Sequence, residues 1–152
     1  MDNTSRLSKA VAQNFIDALD SRNFDVLPSM FTDTAGWWVM GERNVSWGGY
    51  LRAHERIPLS MQMLGQFSQY SMKAFNIIAE GVQVMAELEV VSSNQDGKSY
   101  TNSVVMAFTI DSRQKRILLL REYLDNQQVI NFMEASGSTA GSVDKNIEAV
   151  GM

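Results

Sequence analysis

The sequence contains no cysteine. That excludes a disulfide framework, a thiolate nucleophile and a cysteine metal site, and it fits a reducing, cytoplasmic setting. There is one histidine, His54, so little is present from which to build a zinc or iron centre. Nothing favours a magnesium site made of carboxylates alone. No apolar run approaches the ~20 residues of a membrane span. The opening residues, MDNTSRLSKA, lack the basic-then-apolar pattern of a signal peptide. Lys and Arg number 13 against 17 Asp and Glu, for a net charge of −4. Without clustered cations, a nucleic-acid partner is not expected. No phosphate-binding glycine loop, nucleophile elbow or dinucleotide fingerprint occurs, and Gly48-Gly49 alone does not make one. No metal and no cofactor are therefore expected.

The 152 residues suit one domain, and 45% hydrophobic residues can bury a proper core. Leu7, Ala10, Val11, Asn14, Phe15, Ala18 and Leu19 recur at helical spacing, with Thr4 or Ser5 as N-cap. A second short helix is predicted from Phe24 to Phe31. Trp37-Trp38-Val39-Met40 is a bulky strand, followed by a loop marked by Gly41, Gly48 and Gly49. A third helix puts Leu51, His54, Ile57, Met61 and Leu64 on one face, with a kink or break at Pro58. Residues 70–79, 82–93, 99–110 and 115–124 read as four strands of an antiparallel meander. The turns between them fall at Glu80-Gly81, Asn94 to Gly97 and Asp111 to Gln114. Asp125 caps a final helix over 126–135. A tail rich in small and polar residues, flexible or weakly helical, occupies 136–152.

Helices followed by a long curled sheet give an α+β fold, a cone-shaped antiparallel sheet wrapped on helices around a hollow. Strand alternation sets which side chains line it. Leu118, Leu120, Glu122 and Leu124 share one face of the last strand, so Glu122 sits among leucines. Burial disfavours its charged form and suits it to proton transfer near neutral pH. In residues 82–93, Val82, Val84, Ala86, Leu88 and Val90 oppose Gln83, Met85, Glu87, Glu89 and Val91. The plain pattern puts the valine face in the core and the glutamates in water. The alternative turns Glu87 and Glu89 into a polar pocket and presents Val84, Leu88 and Val90 to a second subunit. His54 lies on the apolar stripe of its helix, as a proton carrier or as an inert core residue. One of Trp37 and Trp38 faces inward. Trp38, Met40, Met61, Leu120 and Leu124 are taken as the apolar wall. The ten methionines suit irregular packing or an adaptable ligand site.

The segments AVAQNFIDALDSRNFDVLPSMFTD, WWVMG and KRILLLREYLDNQQV, in that order over about residues 6–135, resemble the nuclear-transport-factor-2-like superfamily, in its SnoaL-like and limonene-epoxide-hydrolase-like branch. The last segment is the most specific, a strand running through Arg, acid, aromatic, apolar residue and Asp into a helix. The resemblance implies that Glu122 takes the place of a catalytic Asp. It also implies that Glu89 matches a second Asp and that Glu87 stands where that branch has an Arg, so that all three glutamates face the hollow. The lost Arg departs from the water-activating arrangement of the epoxide hydrolases. Trp38 replaces the Asp base of the ketosteroid-isomerase branch. The function implied is a cofactor-independent acid/base enzyme of lyase, cyclase or isomerase type, a homodimer acting on a small apolar or aromatic molecule. Glu122 moves the proton directly or through His54, and Glu87 and Glu89 tune it. A non-catalytic binding or association domain and an epoxide-hydrolase-like hydrolase are the alternatives.

Overall fold

A computed structural model describes residues 1–137 of the chain. The tail expected over 136–152 lies, from residue 138 onward, outside the described residues. Helix α1 (Asn3–Asp20) is capped by Asp2, whose carboxylate accepts the Ser5 N–H at 2.7 Å. A 3₁₀ turn (Phe24–Met30) leads into β1 (Phe31–Val39), the short β2 (Gly49–Arg52) and α2 (Ala53–Leu64). Then come β3 (Gln69–Glu80), β4 (Gln83–Ser93), β5 (Ser99–Asp111), β6 (Arg116–Leu124) and α3 (Asn126–Ala135). The expected meander strands match these four to within a residue or so. Among the described residues no helix is long and apolar enough to cross a membrane.

The six strands form one curved, unclosed sheet in the order β2-β1-β6-β5-β4-β3. One expectation is corrected here. The sheet is not wholly antiparallel, because β1 runs parallel to β6. A parallel partner needs a long crossover, and everything from β2 to β5 supplies it. Register shifts interrupt the ladders at Ala74/Asn76, at Thr109/Ile110 and between Phe31 and Gly36. Such bulges bend and twist a sheet, which here lets it wrap the helices. The shift at Thr109/Ile110 also alters the alternation read from β6: Ile117 is fully buried and Leu118 is 41% exposed.

Helix α1 lies in the sheet's concavity through Ser5, Ser8, Ala12, Phe15, Ile16 and Leu19, one strip of the helix at i, i+3, i+4 spacing. Ala10 and Asn14 of the expected face are exposed. Phe15 is the hub, with ring centroids of Phe31, Trp37 and Phe108 at 5.4, 5.7 and 5.9 Å, each nearly edge-on. The Ser5 hydroxyl accepts the Gly81 N–H at 2.8 Å, which ties the β3–β4 turn to α1. Helix α2 starts two residues later than its apolar pattern suggests, because Gly49–Arg52 pair with β1. Pro58 stands inside α2 without ending it, at the cost of one bond to the carbonyl of His54.

Candidate functional site

The sheet, α2 and α3 leave a hollow of about 480 Å³, a size that suits a small organic ligand. Its wall is mostly apolar: Leu19 from α1, Val39 from β1, Leu59 and Met63 from α2, Met72 from β3, Val104 and Met106 from β5, Val129 and Met133 from α3. Gln62 and Gln66, both exposed, mark its rim at the C-terminal end of α2. Arg22 fastens that end by donating to the carbonyls of Leu64 and Phe67.

Polar groups converge inside. Glu122 pairs in register with Met106 on one side and Val39 on the other, so its side chain points inward with theirs. Trp37 Nε1 donates to Glu122 Oε1 at 3.0 Å, and no described protein group bonds Oε2. The side chain is only half-buried by area because the hollow reaches it, yet it lies deep within the protein. Burial pushes its pKa above the ordinary value of 4.5, and the Trp37 bond and the Arg56 charge only partly offset this.

Arg56 comes from α2 and is 4% exposed. Its Nη1 donates to the carbonyl of Trp47 at 2.7 Å and its Nη2 to that of Gly49 at 2.8 Å, with Trp37 O farther off at 3.5 Å. It makes no direct ion pair with any described carboxylate, Glu122 included. Burial lowers its pKa, and Glu122 acts the other way. Tyr70 and Tyr100 complete the polar set. Burial raises both phenol pKa values above the usual range, and the Glu122 charge raises them further. The Tyr100 hydroxyl accepts from Asn102 Nδ2 at 2.8 Å. Asn102 exchanges two bonds with the Asp125 backbone, at 3.0 and 3.1 Å, and so fixes the start of α3.

Several expected site residues lie elsewhere. Glu87 and Glu89 are exposed on the outer face of β4, where they accept bonds from Asn76 and Ser103. Val84, Leu88 and Val90 are 1, 0 and 2% exposed on the inner face. The plain alternation of β4 thus holds, and the orientation implied by the resemblance does not. Those valines and that leucine offer nothing to a second subunit. His54 is exposed, with Nε2 3.3 Å from Thr32 O, outside the hollow. The residues of α2 that face the hollow are Arg56, Leu59, Ser60, Met63 and Leu64 with Gln62 at the rim, and His54 and Met61 are not among them. Met61 is 38% exposed.

Trp37 is the inner tryptophan, 2% exposed. Trp38 packs on the outer face against Tyr123 at 5.2 Å and beneath Arg121. Met40 lies outside the hollow, beside a separate groove at the start of α3. Leu124 does line the hollow, whereas Leu120 is wholly in the core behind it. Arg56, Trp47, Tyr70 and Tyr100 were missed. The signal for the last was its place two residues before Asn102 and four before Val104, on the inward face of β5.

No protein-family profile matches the chain, and neither does any curated protein sequence. Solved structures do. An epoxide hydrolase from Mycobacterium tuberculosis, of the limonene-epoxide-hydrolase-like kind, is 20% identical, with a TM-score of 0.68 over 86% of this chain and 92% of its own. The pinacolase BvnE from Penicillium brevicompactum is 13% identical, with a TM-score of 0.76 over 89% and 97%. An NTF2-like protein from Burkholderia xenovorans is 15% identical, with a TM-score of 0.63 over 84% and 95%. Together with the helix-lined hollow of the curved sheet, these likenesses show that the chain has the nuclear-transport-factor-2-like fold shared by SnoaL-like proteins.

Proposed function

We propose that this chain is a cofactor-independent acid/base enzyme, of lyase, cyclase or isomerase type, acting on a small apolar or aromatic molecule held in the hollow. The observation that carries this reading is Glu122: a carboxyl group in an apolar cavity, held on one oxygen by Trp37 and free on the other. A raised pKa lets such a group both take and return a proton near neutral pH. Solved structures of the same fold include a pinacolase and an epoxide hydrolase, which makes this chemistry a natural use of it, although fold alone does not select a reaction.

In the proposed mechanism Glu122 removes a proton from the substrate carbon beside it and delivers it to a second atom or back to another face. Trp37 steadies the carboxylate that takes the proton in the first step and that is restored when the proton is delivered. Arg56 lends positive charge to that carboxylate and to the oxygen on which the substrate's electrons come to rest. The apolar wall keeps out water that would level these effects. Glu87, Glu89 and His54 have no part in it, since all three lie outside the hollow.

The test is hydrogen exchange in heavy water. A panel of aromatic and alicyclic ketones with acidic C–H bonds is incubated with the protein and followed by mass spectrometry. Exchange that falls at least 10²-fold in Glu122→Gln supports the reading. A protein that exchanges nothing across the panel, and whose Glu122 titrates as a freely solvated acid, is a binding domain instead. A hydrolytic variant has one observation in its favour, since Arg56 brings a guanidinium to the same hollow as Glu122. It requires solvent oxygen to enter an opened epoxide. The homodimer proposed here uses the outer sheet face, where Ile78, Met85 and Val91 are 62, 53 and 59% exposed. Sedimentation of Met85→Glu against the natural protein checks it.

A further inference from the structure

Among the described residues two charged side chains border the hollow, Arg56 and Glu122. Their charges do not form a closed pair. The guanidinium is held by the neutral carbonyls of Trp47 and Gly49, with no described carboxylate in ion-pair contact. When Glu122 carries its proton, the hollow is left with one positive charge and no counterion.

The hydrogen-bonding inventory is one-sided as well. A protonated Glu122 has an O–H to give. The Tyr70 hydroxyl bonds no described protein group, and the Tyr100 hydroxyl already accepts from Asn102, so its own proton remains to donate. Three O–H donors and a cation thus border a cavity whose remaining wall is aliphatic, aromatic or thioether, apart from Ser60, Gln62 and Gln66 on α2 and its end. Arg56 Nε is in addition buried without a partner among the described residues, and buried donors without acceptors are costly. A ligand that supplies an anionic oxygen satisfies them, and a neutral hydrocarbon does not.

We infer that the hollow takes an apolar molecule bearing one acidic oxygen, a carboxylate or an ionised enol or phenol, and that it binds while Glu122 holds its proton. Ligand and proton then enter together. Once Glu122 ionises, its charge cancels that of Arg56, and the second anion is repelled across a low-dielectric space. Binding affinity and the titration of Glu122 are reciprocally linked.

The groups facing Glu122 allow no simpler source of such a dependence. Arg56 approaches from α2, Trp37 from β1, Tyr70 from β3 and Tyr100 from β5, while β4 and α3 present Val90, Val129 and Met133. Asp20 and Arg22 act on Tyr70, and Asp125 on Tyr100, from outside the hollow. His54 lies outside the hollow. The inference rests on the same cavity as the proposed acid/base reaction but does not need Glu122 to catalyse anything.

The experiment is calorimetric titration of the full chain with 2-naphthoate and with its neutral isostere 2-acetylnaphthalene, from pH 5 to 9. The naphthoate is expected to bind at least tenfold tighter than the ketone at the acid end. Its Kd is expected to rise up to tenfold per pH unit above the folded pKa of Glu122, with proton uptake seen by comparing buffers of different ionisation heat. The ketone's Kd should be flat with pH. Glu122→Gln should bind naphthoate with a pH-independent Kd. Equal affinity for the two probes, or a pH dependence that persists in Glu122→Gln, overturns the inference and leaves the exchange chemistry standing. Failure of both probes to bind overturns the inference and the ligand cavity alike.

Discussion

Replacing Glu122 by Gln should make the protein more stable at neutral pH and leave its stability in acid unchanged. The variant keeps an amide oxygen to accept the Trp37 N–H, at 3.0 Å in the natural protein, and nearly the same volume. What it loses is the ability to ionise. In the unfolded chain Glu122 gives up its proton near the ordinary value of 4.5, whereas in the folded chain burial holds the proton on to higher pH. Between those two values the folded state binds more protons than the unfolded one, so stability falls as pH rises. The slope approaches about 1.4 kcal/mol per pH unit and vanishes above the folded pKa. The opposing bond from Trp37, a hydrogen bond to a charged group, contributes roughly 1.5–3 kcal/mol. Burial outweighs it together with Arg56. Asp2 and Asp20 have lowered pKa values, so their contributions are complete above about pH 4 and fade only in stronger acid. Urea melts of both proteins from pH 4.5 to 8, with equal m values, should diverge steadily and then run parallel. Curves parallel throughout, or a variant that is the weaker protein at pH 8, would refute this account of the burial of Glu122.

Trp37→Phe removes the donor to Glu122 and should raise the carboxyl pKa further, because that bond favours the ionised form, read by ¹³C NMR of the side-chain carboxyl. Arg56→Met leaves the carbonyls of Trp47 and Gly49 without their short bonds. A loss of about 2 kcal/mol or more is expected in urea, even after the buried guanidinium's own desolvation is relieved, with a rise in the Glu122 pKa in the same sample. Asn102→Ala breaks the two bonds to Asp125 that anchor α3. It should cost about 2–3 kcal/mol and speed amide exchange in Val129 to Met133 before that in β5.

The meander was legible because each of its strands is long, alternates cleanly and ends in a turn of Gly, Asn or Asp. The inward place of Glu122 followed from that alternation. Its leucine neighbours were read less well, since the bulge at Thr109/Ile110 lies in the ladder with β5 and leaves no mark in β6 itself. Arg56 was hidden by β2. Leu51, read as the first residue of the helical stripe, pairs with β1 as part of β2 instead, so the stripe's phase was set from a residue outside the helix. Trp37 and Trp38 are adjacent and identical, so only the pairing of β1 with β6, Trp37 with Leu120 and Trp38 with Arg121, distinguishes them. For Glu87 and Glu89 the strand's own period was the better guide. Distant likeness carried the fold correctly and carried individual side chains poorly.

The parallel pairing of β1 with β6 has a consequence for how the site comes into being. Trp37 and Glu122 are 85 residues apart, and Trp47 and Asn126 are 79 apart. Contacts of such separation are slow to form, because the intervening chain must first give up its freedom. Neither the helical half nor the meander alone owns a complete cavity wall. A chain cut within the β4–β5 turn should retain hairpins but no hollow, and ligand affinity should reappear only when both pieces are mixed and the first strand finds the last.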